Sequence, residues 1–186
     1  SDFTDRLVDA LETPVHIVGH SMGAMIALDL AAEFPGLVAS VTALNAIFQR
    51  APEAAKIAKI RAAGLDGITV GDSTPTLERW FGGTACPERD ACQDWLTSVD
   101  PEGYRHAYGV FAAEDGPTSD ALGRITCPAL FMTGADEPNS TPAMSQAMAE
   151  IAPKGDAIIV DGAAHMMPMT HSADVNAALM KHFKGV

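Results

Sequence analysis

A Gly-His-Ser-Met-Gly pentapeptide at residues 19–23 constrains this chain more than any other segment. A β-branched run at 15–18 leads into it, and an apolar stretch with a helical pattern at 22–34 leads out of it. A strand, a sharp turn and a helix are the context in which G-x-S-x-G forms a nucleophile elbow. The sequence therefore predicts that Ser21 lies at the tip of such a turn.

The residues beside Ser21 have predicted roles of their own. Gly19 and Gly23 have no Cβ, so we expect the strand and the helix to approach each other closely at both positions. A helix N-terminus favours developing negative charge. The Met22 amide is therefore the predicted hydrogen-bond donor to an oxyanion.

Short, apolar, β-branched segments alternate with helical sequence along much of the chain. The predicted strands are 15–19, 38–45, 129–134 and 157–161, and the predicted helices of this part are 2–12, 22–34 and 172–183. This alternation is typical of a parallel sheet that is buried on both faces. We expect an α/β fold with a sheet of about four parallel strands.

Residues 46–124 interrupt that alternation. They contain helical patterns and no convincing strand, with helices predicted at 51–63, 76–81, 90–99 and 101–113. We interpret this segment as a helical cap inserted between the second and third strands. The predicted organisation is a core formed by 1–45 and 125–186, with a cap at 46–124.

A histidine and two acids follow the later strands. His165 lies on the loop after the fourth strand, and Asp136 and Glu137 come just after the third. Loops at the carboxyl edge of one parallel sheet lie within reach of one another, so His165 is the predicted general base for Ser21. Either acid is suited to orient it. His171 is the nearest alternative base, but its place at the start of the last helix favours a capping or surface role.

The order serine, acid, histidine resembles that of the α/β-hydrolase superfamily. The likeness covers nearly all 186 residues, but only about the C-terminal two-thirds of a family member. It implies a partial α/β-hydrolase fold and a serine hydrolase that forms an acyl-enzyme on a Ser-His-acid triad. Family members commonly place the acid three residues after the strand-end glycine, here Gly134, which favours Glu137. Aspartate is the commoner residue at that point, so Asp136 stays open.

Within the superfamily, the predicted cap resembles that of 3-oxoadipate enol-lactonases. The segments that carry this likeness are 61–65, 76–81 and 100–104. It implies that the substrate is a small carboxylated lactone or ester and that no cofactor is needed. Arg79 beside Trp80 is then the candidate for binding the carboxylate, with a solvated helix face as the alternative.

Two further residues are candidate substrate contacts because they adjoin the predicted nucleophile and base. His20 precedes Ser21, and Met166 follows His165. Packing beneath the elbow is the alternative role for His20, and filling the core is the alternative for Met166.

The resemblance also implies that part of the family pattern is absent. Family members carry N-terminal strands and a loop, usually beginning His-Gly, that supplies a second oxyanion donor. Without them the elbow strand has an open edge, which does not stay bare in water. We therefore expect a homo-oligomer, or an N-terminal half supplied as a separate chain, and activity impaired by the missing segment.

Two alternatives to an ester or lactone hydrolase share the same motifs. One is a weak or inactive truncated hydrolase that acts as a binding or assembly partner. The other is a carbon–carbon bond hydrolase or a perhydrolase on the same triad. A serine-reactive probe distinguishes the inactive partner from an enzyme, and substrate profiling distinguishes the other reactions from ester or lactone hydrolysis.

Composition excludes several other classes. The net charge of −12 argues against a nucleic-acid partner. No apolar run reaches the length of a membrane span, and the polar first residues do not resemble a signal peptide. We expect a cytoplasmic protein without a membrane partner. The histidines show no metal-ligand spacing, so no metal is predicted.

Overall fold

A computed structural model describes residues 2–185, so Ser1 and Val186, the outer ends of the two predicted core segments, lie outside the described part. The chain divides into two units. The sheet unit combines Ser1–Phe48 with Gly116–Val186, and the helical unit is the intervening Gln49–Asp115.

A parallel sheet forms the centre of the sheet unit. Within residues 2–185 its strands are β1 Val15–His20, β2 Val38–Leu44, β3 Ala129–Gly134 and β4 Gly155–Val160, in the spatial order β1-β2-β3-β4. Every neighbouring pair is parallel. All of β3 is buried, which explains its continuous apolar sequence. The predicted α/β class with a four-stranded parallel sheet is confirmed.

Helices connect the strands of the sheet unit. Among the described residues, the regular structure of the helical unit is entirely helical. The helices are α1 Asp2–Val8, α2 Met22–Glu33, α3 Pro52–Ala63, α4 Thr74–Phe81, α5 Pro87–Ser98, α6 Pro101–Ala113, α7 Ser119–Gly123, α8 Pro142–Ile151, α9 Met167–Thr170 and α10 Ser172–Lys184. A single 3₁₀ turn at Pro35–Leu37 precedes β2. None of the described helices is long and apolar enough to cross a membrane.

The first helix is shorter than its apolar pattern predicts. It ends at Val8 rather than at residue 12. The amides of Ala10 and Leu11 bond to the carbonyls of Leu7 and Val8, three residues back, so the chain tightens there and leaves the α-helix.

Apolar side chains pack against the sheet in two clusters. Phe131 of β3 belongs to the first, together with Leu28 of α2 and Met148 of α8. Met132, the next residue along β3, belongs to the second, together with Val175 of α10. Successive strand residues point to opposite faces, so α2 with α8 and α10 cover different faces of the sheet. Burial of each side chain of this size stabilises the folded state by about 1.5–3 kcal/mol relative to leaving it exposed.

The helical unit is narrower than the predicted cap at 46–124. Ala46, Phe48 and Leu122 lie within the predicted cap, yet they are at most 5% exposed and belong to the first apolar cluster of the sheet unit. These residues extend the core beyond the ends of β2 and before β3. The absence of a strand pattern at 46–124 therefore shows where the strands stop. It does not show where the apolar core of the sheet unit stops.

Local contacts order the helical unit. Helix α3 packs against α6, and α4 packs against α5. The Asp100 carboxylate accepts a hydrogen bond from the Gly103 amide at 2.8 Å and caps α6. Arg50 stacks its guanidinium on the Phe111 ring at 4.4 Å and donates to the Phe111 carbonyl at 3.0 Å. The first residues of the unit are thereby held against α6.

Strand β1 lies at one edge of the sheet, and no strand within residues 2–185 pairs with its outer side. The Val18 side chain on this strand is 41% exposed. An open edge presents unpaired backbone groups that favour pairing with another chain. The homo-oligomer and the separately supplied N-terminal half both stay predictions, with this edge as the surface on which we expect either partner to pair.

We expect the chain to self-associate in a concentration-dependent way, and Val18→Lys to shift it towards the monomer, because charge on an edge strand opposes edge-to-edge pairing. Light scattering over a range of concentrations measures the effect. Ile68→Lys is the matched control, since Ile68 is 80% exposed in the helical unit. A wild-type chain that stays monomeric throughout, or an equal effect of both lysines, would contradict the prediction.

Candidate active site

Ser21 lies in a strained turn between β1 and α2. Its backbone angles are φ 56° and ψ −120°, a conformation that residues with a side chain rarely adopt. Its amide donates to the Leu44 carbonyl at the end of β2, with an N···O distance of 2.9 Å. The turn is therefore fixed to the neighbouring strand, and Ser21 lies at the carboxyl edge of the sheet.

The close approach of strand and helix depends on only one of the two glycines of the motif. A Cβ on Gly19 would overlap the backbone of Gly23. A Cβ on Gly23 would meet nothing within 4 Å, so the expectation that Gly23 is needed for close approach is wrong. The helix passes over Gly19, and the missing side chain matters on the strand side alone.

Backbone contact also joins the loop after β3 to the loop after β4. A Cβ on Gly134 would overlap the backbone of Ala163, and the Asp136 amide donates to the Ala163 carbonyl at 2.9 Å. The two loops therefore run side by side. This contact brings Glu137 within reach of His165.

Glu137, His165 and Ser21 form a continuous chain of hydrogen bonds. Nδ1 of His165 lies 2.7 Å from Oε2 of Glu137, and Nε2 of His165 lies 3.1 Å from Oγ of Ser21. Because the carboxylate accepts a hydrogen bond from Nδ1–H, Nε2 of a neutral ring is left as the acceptor of the hydrogen bond from the Ser21 hydroxyl. Glu137 is 3% exposed and His165 is 8% exposed, so the pair is shielded from water.

Several donors keep the buried Glu137 carboxylate ionised. Burial by itself raises the pKa of Glu137, but the hydrogen bond and charge attraction from His165 and the amides of Asn139 and Ser140 outweigh it. The net pKa lies below its ordinary value. Oε1 accepts from the Asn139 amide at 2.7 Å and from the Ser140 amide at 3.3 Å. An ionised Glu137 can therefore orient His165 at neutral pH.

The structure places the other acid and the other histidine elsewhere. Asp136 is exposed, and its contact with the neighbouring loop is through its backbone amide. His171 stands at the N-terminus of α10, with Nδ1 at 2.9 Å from Oγ1 of Thr170. Glu137 alone of the two acids faces His165.

His20 contacts the backbone of His165. Nε2 of His20 donates to the His165 carbonyl at 2.8 Å, and the two rings are 4.9 Å apart between centroids. Burial, followed by repulsion from His165, lowers the pKa of His20 from 6.5 to about 4. The ring is therefore neutral at neutral pH.

Asn45 is a site residue that the motifs do not reveal. Its Nδ2 donates to the His165 carbonyl at 2.6 Å, and its side chain is 1% exposed. The one signal in the sequence is a polar residue at the end of the apolar strand predicted at 38–45, on the edge of the sheet that carries Ser21.

The remaining predicted site residues lie at the ends of helices or in the helical unit. Met166 is half-buried at the N-terminus of α9. Arg79 and Trp80 are half-buried neighbours on α4.

Comparison with known proteins identifies the family. A model of the alpha/beta hydrolase family matches residues 1–178 of the chain. The chain belongs to the alpha/beta hydrolase family. The match extends over both units and includes the serine, acid and histidine loops.

Relatives of this alpha/beta hydrolase are also hydrolases. The (E)-2-((N-methylformamido)methylene)succinate hydrolase of Acinetobacter baylyi is 35% identical over 184 residues, which cover 96% of this chain and 70% of the relative. The enol-lactonase of Burkholderia xenovorans superposes with a TM-score of 0.79 at 20% identity, covering 97% of this chain and 71% of that one. A hydrolase of Pseudomonas aeruginosa superposes with a TM-score of 0.81 at 21% identity, covering 98% of this chain and 69% of that one. The two structural likenesses show the fold.

The helical unit of this hydrolase contains a cavity of about 220 Å³ with two arginines in its wall. Arg61 and Arg79 line it together with Tyr104 and Tyr108, whose rings stack with centroids 5.9 Å apart. Asp72 is an acidic residue that also lines it. Among the described residues, no carboxylate forms an ion pair with either arginine.

The two guanidinium groups of the cavity influence each other. Burial, followed by repulsion from Arg61, lowers the pKa of Arg79. Nη2 of Arg79 donates to Oγ1 of Thr76 at 2.9 Å, which orients the guanidinium and leaves its other N–H donors available. An arginine remains a cation at neutral pH even so. The cavity therefore offers fixed donors and positive charge to an anion of small size.

We expect acid to weaken the fold through His20. The unfolded chain binds a proton at His20 below about pH 6.5, whereas the folded protein does so only below about pH 4. The contribution of His20 to stability is thus fully present above pH 6.5 and is lost as the pH falls to about 4. The loss is on the order of 3 kcal/mol.

Urea unfolding of wild type and His20→Gln between pH 7 and pH 4 measures this contribution. Protonation of Glu137 in acid also lowers the free energy of unfolding, and it does so in both proteins. The difference between their two pH dependences therefore reports the contribution of His20. An equal pH dependence of the two unfolding free energies would contradict the assignment.

Proposed function

We propose that this alpha/beta hydrolase cleaves a small carboxylic ester or lactone through an acyl-enzyme on Ser21. The observation that carries the proposal is the hydrogen-bonded chain from Ser21 through His165 to the ionised Glu137. A serine hydroxyl is a weak nucleophile until an adjacent base accepts its proton, and this arrangement supplies that base.

In the first step Oγ of Ser21 attacks the substrate carbonyl carbon while its proton passes to Nε2 of His165. The resulting imidazolium is stabilised by Glu137. The Met22 amide is the first of α2 and has no acceptor within the helix, so it is available to the tetrahedral oxyanion.

In the second step the oxyanion collapses, the bond to the leaving oxygen breaks, and His165 returns its proton to that oxygen. In a lactone the alcohol so formed stays attached to the acyl group. Water then attacks the acyl-enzyme, and His165 accepts the water proton and passes it to Oγ of Ser21. The products are a carboxylic acid, an alcohol and the resting enzyme.

A carboxylate on the substrate is the second part of the proposal. The Arg61 and Arg79 guanidinium groups in the cavity of the helical unit, with the Tyr104 and Tyr108 hydroxyls, are donors suited to a small carboxylate. The Acinetobacter relative is named for a succinate derivative, which carries two carboxylates. Both observations favour an anionic substrate over a neutral one.

A fluorophosphonate should add once to the wild-type chain, because an activated serine displaces its fluoride. We expect no adduct in Ser21→Ala, labelling about 10³–10⁴-fold slower in Glu137→Gln, and a rate close to that of wild type in Asp136→Asn. Intact mass measured over time gives all four results.

If the fluorophosphonate does not label the wild-type chain, the alternative of an inactive binding or assembly partner is favoured. Labelling that persists in Ser21→Ala would place the reactive group elsewhere. Equal slowing in both acid variants would show that Glu137 has no special part in activating the serine.

Arg79→Gln should raise KM for a short ester bearing a free carboxylate by about 10–100-fold, since a hydrogen bond to a charged group is worth about 1.5–3 kcal/mol. The methyl ester of the same compound, which lacks that charge, should be affected much less. Steady-state kinetics on both esters test this. Lys56→Gln is the matched control, because Lys56 is exposed on α3 and does not line the cavity.

A uniform change for both esters in Arg79→Gln would indicate a structural effect and would remove Arg79 from substrate recognition. An equal effect of Lys56→Gln would indicate that overall charge, and not the cavity, determines the KM.

A further inference from the structure

The backbone carbonyl of His165 accepts hydrogen bonds from two side chains at once. Nδ2 of Asn45 lies 2.6 Å from it, and Nε2 of His20 lies 2.8 Å from it. A carbonyl oxygen has two lone pairs, so these two donors use its full capacity. Neither residue contacts Ser21 or Glu137 through a hydrogen bond of its side chain in the described structure.

Both donors come from rigid positions on the sheet. His20 is the last residue of β1. Asn45 follows β2 directly, and its own amide donates to the Met132 carbonyl of β3 at 2.8 Å. The backbone of Asn45 has φ 52°, a left-handed conformation that asparagine tolerates better than most residues. The carbonyl of His165 is therefore held from two strand ends.

His165 itself lies on a loop, where a backbone is free to shift unless something holds it. Its ring must keep two distances at once, 2.7 Å to Glu137 and 3.1 Å to Ser21. Asp161 and Gly162 earlier in this loop are exposed, whereas Ala163 is buried and its carbonyl accepts a hydrogen bond from the Asp136 amide at 2.9 Å. Beyond Ala163, the donors His20 and Asn45 are the side chains that hold the carbonyl of His165 itself, from which the ring extends.

We propose that His20 and Asn45 are positioning residues that act together on the His165 carbonyl and so set the reach of its ring between Glu137 and Ser21. This inference rests on the proposed function, because it assigns the pair a part in the same reaction. His20 thus acts through the base, and not as the substrate contact expected from its place beside Ser21.

The charge state of His20 agrees with this role. A neutral ring with its proton on Nε2 donates to the carbonyl without placing a cation beside His165. Formation of the His165 imidazolium during catalysis would be opposed by a second positive ring with its centroid 4.9 Å away. The burial that keeps His20 neutral therefore favours proton transfer to His165.

A matched pair of variants tests His20. Glutamine places an amide N–H near the position of Nε2, whereas methionine is close to glutamine in length and volume but has no donor. We expect His20→Met to lower kcat about 10-fold with KM unchanged, because the ring loses alignment and not substrate contact. His20→Gln should recover most of that loss.

Asn45→Gly tests the second donor and tolerates the left-handed backbone at this position. We expect a fall in kcat of about 10-fold or more, again with KM unchanged. In the double variant Asn45→Gly with His20→Met, the fall should exceed the product of the two single effects, since each donor partly holds the carbonyl when the other is absent.

A substrate-independent readout separates positioning from stability. The proton on Nδ1 of His165 gives a far-downfield signal in proton NMR when it is held against the Glu137 carboxylate. We expect this signal to broaden in His20→Met and in Asn45→Gly and to stay sharp in His20→Gln. Thermal unfolding of each variant records any loss of stability alongside it.

The outcomes are distinguishable. If wild type is not labelled by a fluorophosphonate, the proposed function fails, whereas the NMR comparison still tests the hold on His165. If wild type is labelled and the His20→Met and Asn45→Gly variants keep the wild-type kcat and a sharp Nδ1 signal, the positioning role is overturned. A lower melting temperature with both readouts unchanged would show a purely structural role and would overturn it equally.

Discussion

The buried hydrogen bond between Glu137 and His165 is the interaction on which the site depends. A carboxylate that is 3% exposed loses most of its hydration, and such a loss costs several kcal/mol unless other donors replace the water. The His165 ring and the amides of Asn139 and Ser140 are those donors. Removing any of these donors would leave the carboxylate charge poorly solvated. The loop after β3 and the loop after β4 therefore stabilise each other's conformation.

The parallel sheet is what allows that bond to form. Four loops leave its carboxyl edge in turn, and they carry Ser21, Asn45, Glu137 and His165. Residues more than a hundred positions apart therefore meet within hydrogen-bond distance. Because β3 and β4 are fixed in register, the absence of a side chain at the end of β3, at Gly134, decides how closely the two following loops approach.

The helical unit brings a different property to an acidic protein. A net charge of −12 disfavours anions at long range. The proposed recognition of a carboxylate therefore requires a local concentration of cations in a partly dehydrated place, and the cavity lined by Arg61 and Arg79 has that character. Tyr104 and Tyr108 in the same cavity wall add hydrogen-bond donors without adding charge, and their rings stack on each other.

Local patterns in the sequence determined the elbow around Ser21, the parallel strands and the loop position of His165, because strand periodicity and a five-residue motif involve neighbours along the chain. The choice between Glu137 and Asp136 needed the tertiary structure, since adjacent residues on a loop point in different directions and only the contact between two loops decides which one is buried. The same holds for Asn45 and for the extent of the core beyond β2. Their roles depend on which strand ends lie side by side, a long-range property that spacing along one chain does not contain.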